Sequence, residues 1–130
     1  MYKRQDHTPG TMSLLAAVAR AAVVPGARDR LRTLACDARA VPLADSSVDT
    51  VTAIHLLEHL PASESAAILD EAVRVARRRV VVAVPYEEVP DPVYGHLRRF
   101  TADDLVGLGE RTGLPYRVDD DHGGWLVLRL

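Results

Sequence analysis

Three residues near the middle of the chain carry side chains that can hold a metal ion or move a proton. His55, Glu58 and His59 form the string H-x-x-E-H. If this stretch is helical, positions 55 and 59 lie about one turn apart and share a face. Two imidazoles and a carboxylate at that spacing can ligate a divalent metal, and imidazole favours zinc, manganese or iron over magnesium.

The same string is the signature of the inverzincin zinc proteases, so a hydrolytic enzyme is one alternative. Pro61 follows the string by two residues and would break the long helix that such a site needs. The string also follows a predicted buried strand directly, and 130 residues is short for a protease. A simpler alternative is that Glu58 and His59 finish a turn and form local hydrogen bonds.

Helical and strand-like segments alternate along the chain in the order α-β-β-α-β-α-β-β. Strands are predicted at 31–36, 48–54 and 80–84, with a closing hairpin of 115–118 and 125–130. Three helices are predicted. The first spans 11–24, the second runs from an N-cap at Ser63 to last turns that hold the arginines at 74, 77 and 78, and the third runs from a cap at Thr101 to a stop at Gly113. This order predicts an α/β fold with a largely parallel sheet, to which the hairpin adds an antiparallel strand.

The composition excludes several classes of protein. With 48% hydrophobic and 26% charged residues, the 130-residue chain has the composition of one globular domain. Its apolar runs are far shorter than the roughly 20 residues of a membrane-spanning helix, and no secretory signal is visible, so we expect a cytoplasmic protein without a membrane partner. Sixteen basic against eighteen acidic residues argue against a nucleic-acid partner.

Three segments, taken together, resemble one protein family. Residues 36–49 are similar to the segment D-A-x-x-L-P-F-x-D-x-S-F-D of class I S-adenosylmethionine-dependent methyltransferases of the type 11 kind. Residues 55–60 resemble the x-L-E-H turn that follows a strand in that family, and residues 98–114 resemble R-x-F-T-x-x-x-L…x-G-F. The three segments come in the family's order and spacing, and the resemblance covers about residues 6–130.

The resemblance implies a partial fold. The family's sheet order is 3-2-1-4-5-7-6, and its glycine-rich turn after strand 1 has no counterpart near the N-terminus here. We therefore expect a Rossmann-like sheet of strands 3, 4, 5, 7 and 6 that lacks strands 1 and 2. Residues 1–5 are expected to be a tail derived from a sequencing adaptor, and residues 6–130 a partial methyltransferase domain, inactive by itself. The strand at 31–36 would then either pair directly with 48–54 or remain unpaired.

The resemblance also implies residues that bind S-adenosylmethionine. Asp6 would hold the ribose hydroxyls, Asp37 would accept a hydrogen bond from the adenine amino group, and the backbone N–H of Ala38 would donate to a ring nitrogen. His55 follows the next strand at the same sheet edge, where ligands of open α/β sheets bind. From spacing alone, Asp37 could equally cap a local turn of its own loop.

A subset of such methyltransferases, in ubiquinone and small-RNA pathways, resembles this chain in a second feature. They carry E-x-x-E-H after the fourth strand and a later histidine, which together hold Mg²⁺ against two neighbouring substrate hydroxyls. Glu58, His59 and His96 match this pattern, while His55 replaces the first glutamate. The candidate metal ligands are thus His55, Glu58, His59 and His96, for Mg, Mn or Zn. Without a metal, His59 or His96 could act as the catalytic general base.

These features predict methyl transfer to a substrate oxygen, by a protein whose partner is a small molecule or a glycan. The metal pattern points to a sugar or other polyol, and Tyr94-Gly95-His96 with 122–125 is faintly similar to the mycofactocin oligosaccharide methyltransferases. The competing class is a non-catalytic methyltransferase-like remnant that serves as a binding module.

Overall fold

A computed structural model describes residues 34–130 of the chain. The expected tail at 1–5, the candidate cofactor residue Asp6 and the predicted helix at 11–24 lie outside the described residues. No helix within 34–130 is long and apolar enough to cross a membrane.

The described part is a mixed four-stranded sheet with two helices. Its elements are, in chain order, β1 Val48–Ile54, a 3-10 turn Leu57–His59, α1 Ala62–Val75, β2 Ala76–Val84, α2 Ala102–Thr112, β3 Tyr116–Asp120 and β4 Gly124–Arg129. The strand order is β1-β2-β4-β3, with β1 and β2 parallel and the other neighbours antiparallel. This confirms the predicted α/β class and closing hairpin, and the order corresponds to strands 4-5-7-6 of the expected sheet.

The predicted strand at 31–36 is wrong over the part that the structure describes. Residues 34–36 are irregular and exposed, and β1 is the outer strand of the described sheet. Leu34 keeps 48% of its surface exposed, so this segment buries no apolar face against a neighbour. Of the two expected outcomes, the described residues 34–36 show the second, since they do not pair with β1.

The boundary between α1 and β2 also differs from the prediction. The helix starts at Ala62, with Pro61 rather than Ser63 at its N-cap, and it ends at Val75. Ala76 is already extended, so Arg77 and Arg78 lie in β2 and not in the last helical turn. Arg77 is held by a partner on β1, because its Nη2 lies 2.6 Å from Oδ1 of Asp49.

One hydrophobic core lies between the sheet and both helices. Leu69 of α1 and Leu105 of α2 meet Val80, Val82 and Leu128 of the sheet, and all are nearly inaccessible to solvent. The predicted limits of α2 are confirmed. Thr101 and Asp104 form a reciprocal capping box, and Gly113 ends the helix with φ +67°.

Candidate functional site

The chain leaves β1 through a sharp turn at the carboxyl end of the strand. His55 has φ +49°, a left-handed conformation that is uncommon outside glycine, and its N–H donates to the carbonyl oxygen of Ala83 at 2.9 Å. The 3-10 turn that follows spans only Leu57–His59. His55 and His59 therefore do not share a helix, which removes the geometry that the zinc-protease alternative requires.

Three side chains converge just beyond this turn. One potential ligand atom each from Glu58, His59 and His96 lies within 4.8 Å of the other two. The rings of His59 and His96 meet edge to face, with centroids 4.9 Å apart. We call these three residues the carboxylate–histidine cluster. His55, which we expected among the metal ligands, lies outside it. Its side chain is 59% exposed, and its contact is Nδ1 to Oε1 of Glu58 at 3.3 Å.

The hydrogen bonds of the two histidines fix their tautomers when neutral. Nδ1 of His59 lies 3.2 Å from the carbonyl oxygen of Gly95, and Nδ1 of His96 lies 2.7 Å from Oε2 of Glu87. A carbonyl or a carboxylate can only accept, so each Nδ1 carries the hydrogen. Each Nε2 then carries the lone pair, the state in which imidazole ligates a metal or accepts a proton.

Glu58 is the buried member of the cluster. Its side chain is 1% exposed, and its Oε2 is buried without a hydrogen-bond partner among the described residues. The backbone is equally fixed, because the carbonyl oxygen of Glu58 accepts from the N–H of Leu97 at 2.8 Å. A buried carboxylate oxygen is costly unless a donor or a cation satisfies it.

The donor set of the cluster fits a divalent ion. Two imidazole nitrogens and one carboxylate oxygen suit zinc or manganese, and such ligands bind at about 2.0–2.2 Å. Ligands of one ion lie about 3–4 Å from one another. The atoms of the cluster, within 4.8 Å, need only a small closing movement of the side chains.

Asp37 and Ala38 lie in a loop beside the start of α1. Arg39 connects this loop to the helix, because its guanidinium lies 2.7 Å from Oδ2 of Asp37 in the loop and 3.6 Å from Oε1 of Glu64 in α1. The N–H of Arg39 also donates to Oδ1 of Asp37 at 2.8 Å, which closes the local turn that was one of the two expected roles. Because Glu64 lies in the first turn of α1, which follows the turn beyond β1, Arg39 connects the loop of Asp37 to the carboxyl end of β1.

Glu71 and Arg74 of α1 fasten the rest of this loop. Arg74 donates to the carbonyl oxygens of Val41 and Leu43 at 3.0 and 2.9 Å, and Glu71 accepts from the N–H of Val41 at 2.7 Å. The hydrogen bond from Arg74 is the main cause that lowers the pKa of Glu71, and desolvation opposes it. The segment at 41–45 is thus anchored to α1.

Glu87 and the carbonyl of Gly95 are site groups that the sequence reasoning missed. Glu87 lies three residues beyond the end of the buried strand β2, at the same sheet edge as the cluster. A carboxylate directly after a buried strand is the signal that could have identified it. A backbone carbonyl leaves no such signal in the sequence.

Comparison with known protein families covers the residues at the carboxyl edge of the sheet. Residues 10–84 match the family model described as a methyltransferase domain, more than half of the chain, and this range includes Asp37, His55 and the first two cluster residues. No curated protein matches the chain in sequence.

Solved structures resemble the chain in fold. A SAM-dependent methyltransferase from Aquifex aeolicus aligns with a TM-score of 0.67 at 16% identity, over 94% of this chain and 63% of its own length. A methyltransferase from Haloferax volcanii, solved in complex with the activator Trm112, aligns with a TM-score of 0.66 at 19% identity, over 95% of this chain and 69% of its own. Magnesium protoporphyrin IX methyltransferase from Synechocystis, solved with bound SAM, aligns with a TM-score of 0.61 at 16% identity, over 95% of this chain and 55% of its own length. The chain thus spans about two thirds or less of the first and third of these structures.

Proposed function

The chain belongs to the methyltransferase domain family, and from this premise we propose that the full-length protein containing it transfers a methyl group from S-adenosylmethionine to a substrate oxygen. The acceptor is a hydroxyl of a sugar or another polyol, carried by a small molecule or a glycan. Neither a nucleic acid nor a membrane is needed as a partner. The protein works in the cytoplasm.

Asp37, Ala38 and His55 would hold the cofactor at the carboxyl edge, while Asp6 lies outside the described residues. When bound, S-adenosylmethionine supplies a methyl group on a positively charged sulfur. Asp37 fits the role in type and position, but Arg39 donates to both of its carboxylate oxygens, to Oδ1 from the backbone N–H and Nε and to Oδ2 from Nε and Nη2. Binding of an adenine amino group therefore requires Arg39 to yield one oxygen, and Glu64 is the second carboxylate that can retain its guanidinium.

The observation that carries the acceptor side is the convergence of one ligand atom each from Glu58, His59 and His96 within 4.8 Å. Oε1 of the buried Glu58 lies 3.9 Å from Nε2 of His59, and its Oε2 has no hydrogen-bond partner among the described residues. We infer that Glu58, His59 and His96 hold a divalent metal, manganese or zinc more readily than magnesium. When bound, such an ion lowers the pKa of a neighbouring hydroxyl. The cluster would also orient the acceptor, since alignment of the two reactants is the main contribution of such an enzyme.

A general base without metal is the second candidate on the acceptor side. The observation that favours it is the short contact between His96 and Glu87, since a carboxylate that accepts from Nδ1 leaves the lone pair of the imidazole on Nε2, where it can accept a proton. His59 would then orient the acceptor hydroxyl.

The test is a transfer assay on the full-length protein with S-adenosylmethionine labelled in its methyl group and a panel of polyol acceptors. We expect labelled methyl ethers, loss of labelling after chelation, and recovery with Mn²⁺. Labelling that resists chelation would assign His96 as a base instead. Absence of labelling on any hydroxyl acceptor would favour the non-catalytic binding module and overturn the proposal.

A further inference from the structure

Glu87 makes a short contact to one member of the carboxylate–histidine cluster. Its Oε2 lies 2.7 Å from Nδ1 of His96, and the two side chains are only 22% and 9% exposed. Because both groups are largely shielded from water, the contact is better defined than a surface pair. The orientation of the His96 ring is therefore tied to the position of Glu87.

The loop between them supports this contact. Oε2 of Glu87 also accepts from the N–H of Asp91 at 3.4 Å, and the carbonyl oxygen of Asp91 accepts from the N–H of His96 at 3.1 Å. The side chain of Asp91 holds the N–H of Val93 at 2.9 Å within the same turn. The glutamate thus fixes both the ring of His96 and the backbone that carries it.

We propose that Glu87 is the positioning residue of the cluster, which holds His96 in the tautomer with its lone pair on Nε2. This inference rests on the proposed metal site, and it gives Glu87 a role in setting metal affinity without contact to the metal. Carboxylates behind metal-binding histidines act in this way, and their removal costs about 10-fold to 100-fold in affinity. With Nδ1 engaged by Glu87, Nε2 is the nitrogen of His96 left for the site.

The test compares Glu87→Ala and Glu87→Gln in the 130-residue chain, which contains the whole cluster. Two readouts are needed: the tautomer of His96 from nitrogen–proton correlation spectra without metal, and the dissociation constants of Mn²⁺ and Zn²⁺ by calorimetry. Glu88→Gln is the matched control, because it removes the same charge from an exposed neighbouring side chain. Glutamine at 87 can still accept from Nδ1 through its amide oxygen.

We expect Glu87→Ala to give a mixture of His96 tautomers and at least about tenfold weaker metal binding. Glu87→Gln is expected to retain the single tautomer and most of the affinity, and Glu88→Gln to match the wild type. An unchanged His96 tautomer in Glu87→Ala would overturn the proposal, even if the loop were loosened. If the wild type binds neither metal, the metal site fails, but the tautomer measurement still decides the role of Glu87.

Discussion

The rings of His59 and His96 meet edge to face with centroids 4.9 Å apart, although one follows β1 and the other lies in the loop beyond β2. A backbone hydrogen bond from Leu97 to the carbonyl oxygen of Glu58 joins the two segments. The parallel pairing of β1 and β2 places both at the same edge. The cluster is thus a consequence of the β1-α1-β2 unit.

Replacement of Glu58 by glutamine tests the buried carboxylate. The variant keeps the size of the side chain but loses its charge, so we expect Mn²⁺ affinity to fall at least about tenfold. Calorimetric titration of wild type and variant measures the change, with thermal unfolding as the control for an intact fold. Equal affinity in the two proteins would remove Glu58 from the ligand set.

Replacement of His55 by asparagine separates this residue from the cluster. Asparagine tolerates the left-handed backbone found at position 55, so the turn should be preserved. We expect the variant to bind Mn²⁺ within about threefold of the wild type, whereas His59→Asn should bind at least about tenfold more weakly. A loss in His55→Asn as large as in His59→Asn would restore His55 as a ligand.

Replacement of Arg74 by alanine tests the anchor of the loop that carries Asp37. We expect hydrogen exchange at the amide of Val41 to accelerate about tenfold, because its acceptor Glu71 loses the partner that orients it. The amide of Ser46 is an internal control, since it donates to the backbone oxygen of Arg74 and not to its side chain. Equal acceleration at both amides would indicate general unfolding of α1 instead.

The contacts of Glu71 and Arg74 that hold the loop should weaken at low pH. The Arg74 guanidinium lowers the pKa of Glu71, so the folded protein stabilises the carboxylate. This contribution is present above the ordinary glutamate pKa of about 4.3 and is lost as the pH falls through the lowered value. Protection of the Val41 amide should therefore persist at neutral pH and decline only in acid below that value. In Arg74→Ala the decline should begin at higher pH, and identical profiles would contradict the assignment.

Replacement of Tyr86 by phenylalanine removes a buried hydroxyl. This hydroxyl has no hydrogen-bond partner among the described residues, so we expect the free energy of unfolding to rise by about 1 kcal/mol at pH 7. Burial, and to a lesser extent Asp120, raises the pKa of Tyr86. The wild type should therefore lose stability as the pH rises above about 10, where the unfolded tyrosine ionises, and the variant should lose less.

Urea denaturation at pH 7 and at a pH above about 10 measures the free energy of unfolding of both proteins. Tyr116→Phe, at an exposed ring, is the control. Lower stability of Tyr86→Phe at pH 7 would show that the hydroxyl is satisfied in solution.

Local signals were sufficient for the elements that depend on them. The cap at Thr101, the stop at Gly113 and the valines at 80–84 identify α2 and β2, because each rests on neighbouring residues. The start of β2 was missed, since Arg77 reads as a helix end in sequence and is held in the strand by Asp49 across the sheet. Residues 34–36 were predicted as part of a strand from alternation alone, but a strand needs a paired neighbour, which local sequence does not supply.

The sequence motif proposed Glu58, His59 and His96 as ligands from residue type and spacing, and on the same basis it included His55, which lies outside the cluster. A motif gives residue types and spacing. The turn at His55 and the approach of His96 to His59 depend instead on tertiary contacts. Glu87 was missed because its position after a buried strand does not by itself show that it contacts His96, which only the tertiary structure brings to it. The cofactor role of Asp37 stays a prediction.

The most direct measurement is addition of one equivalent of Mn²⁺ to the nitrogen-15-labelled chain, with paramagnetic broadening read at each amide. If Glu58, His59 and His96 bind the ion, broadening is strongest at these residues and at Leu97. Broadening centred on the exposed acidic turn at Asp120 and Asp121, or none above background, would contradict the metal site.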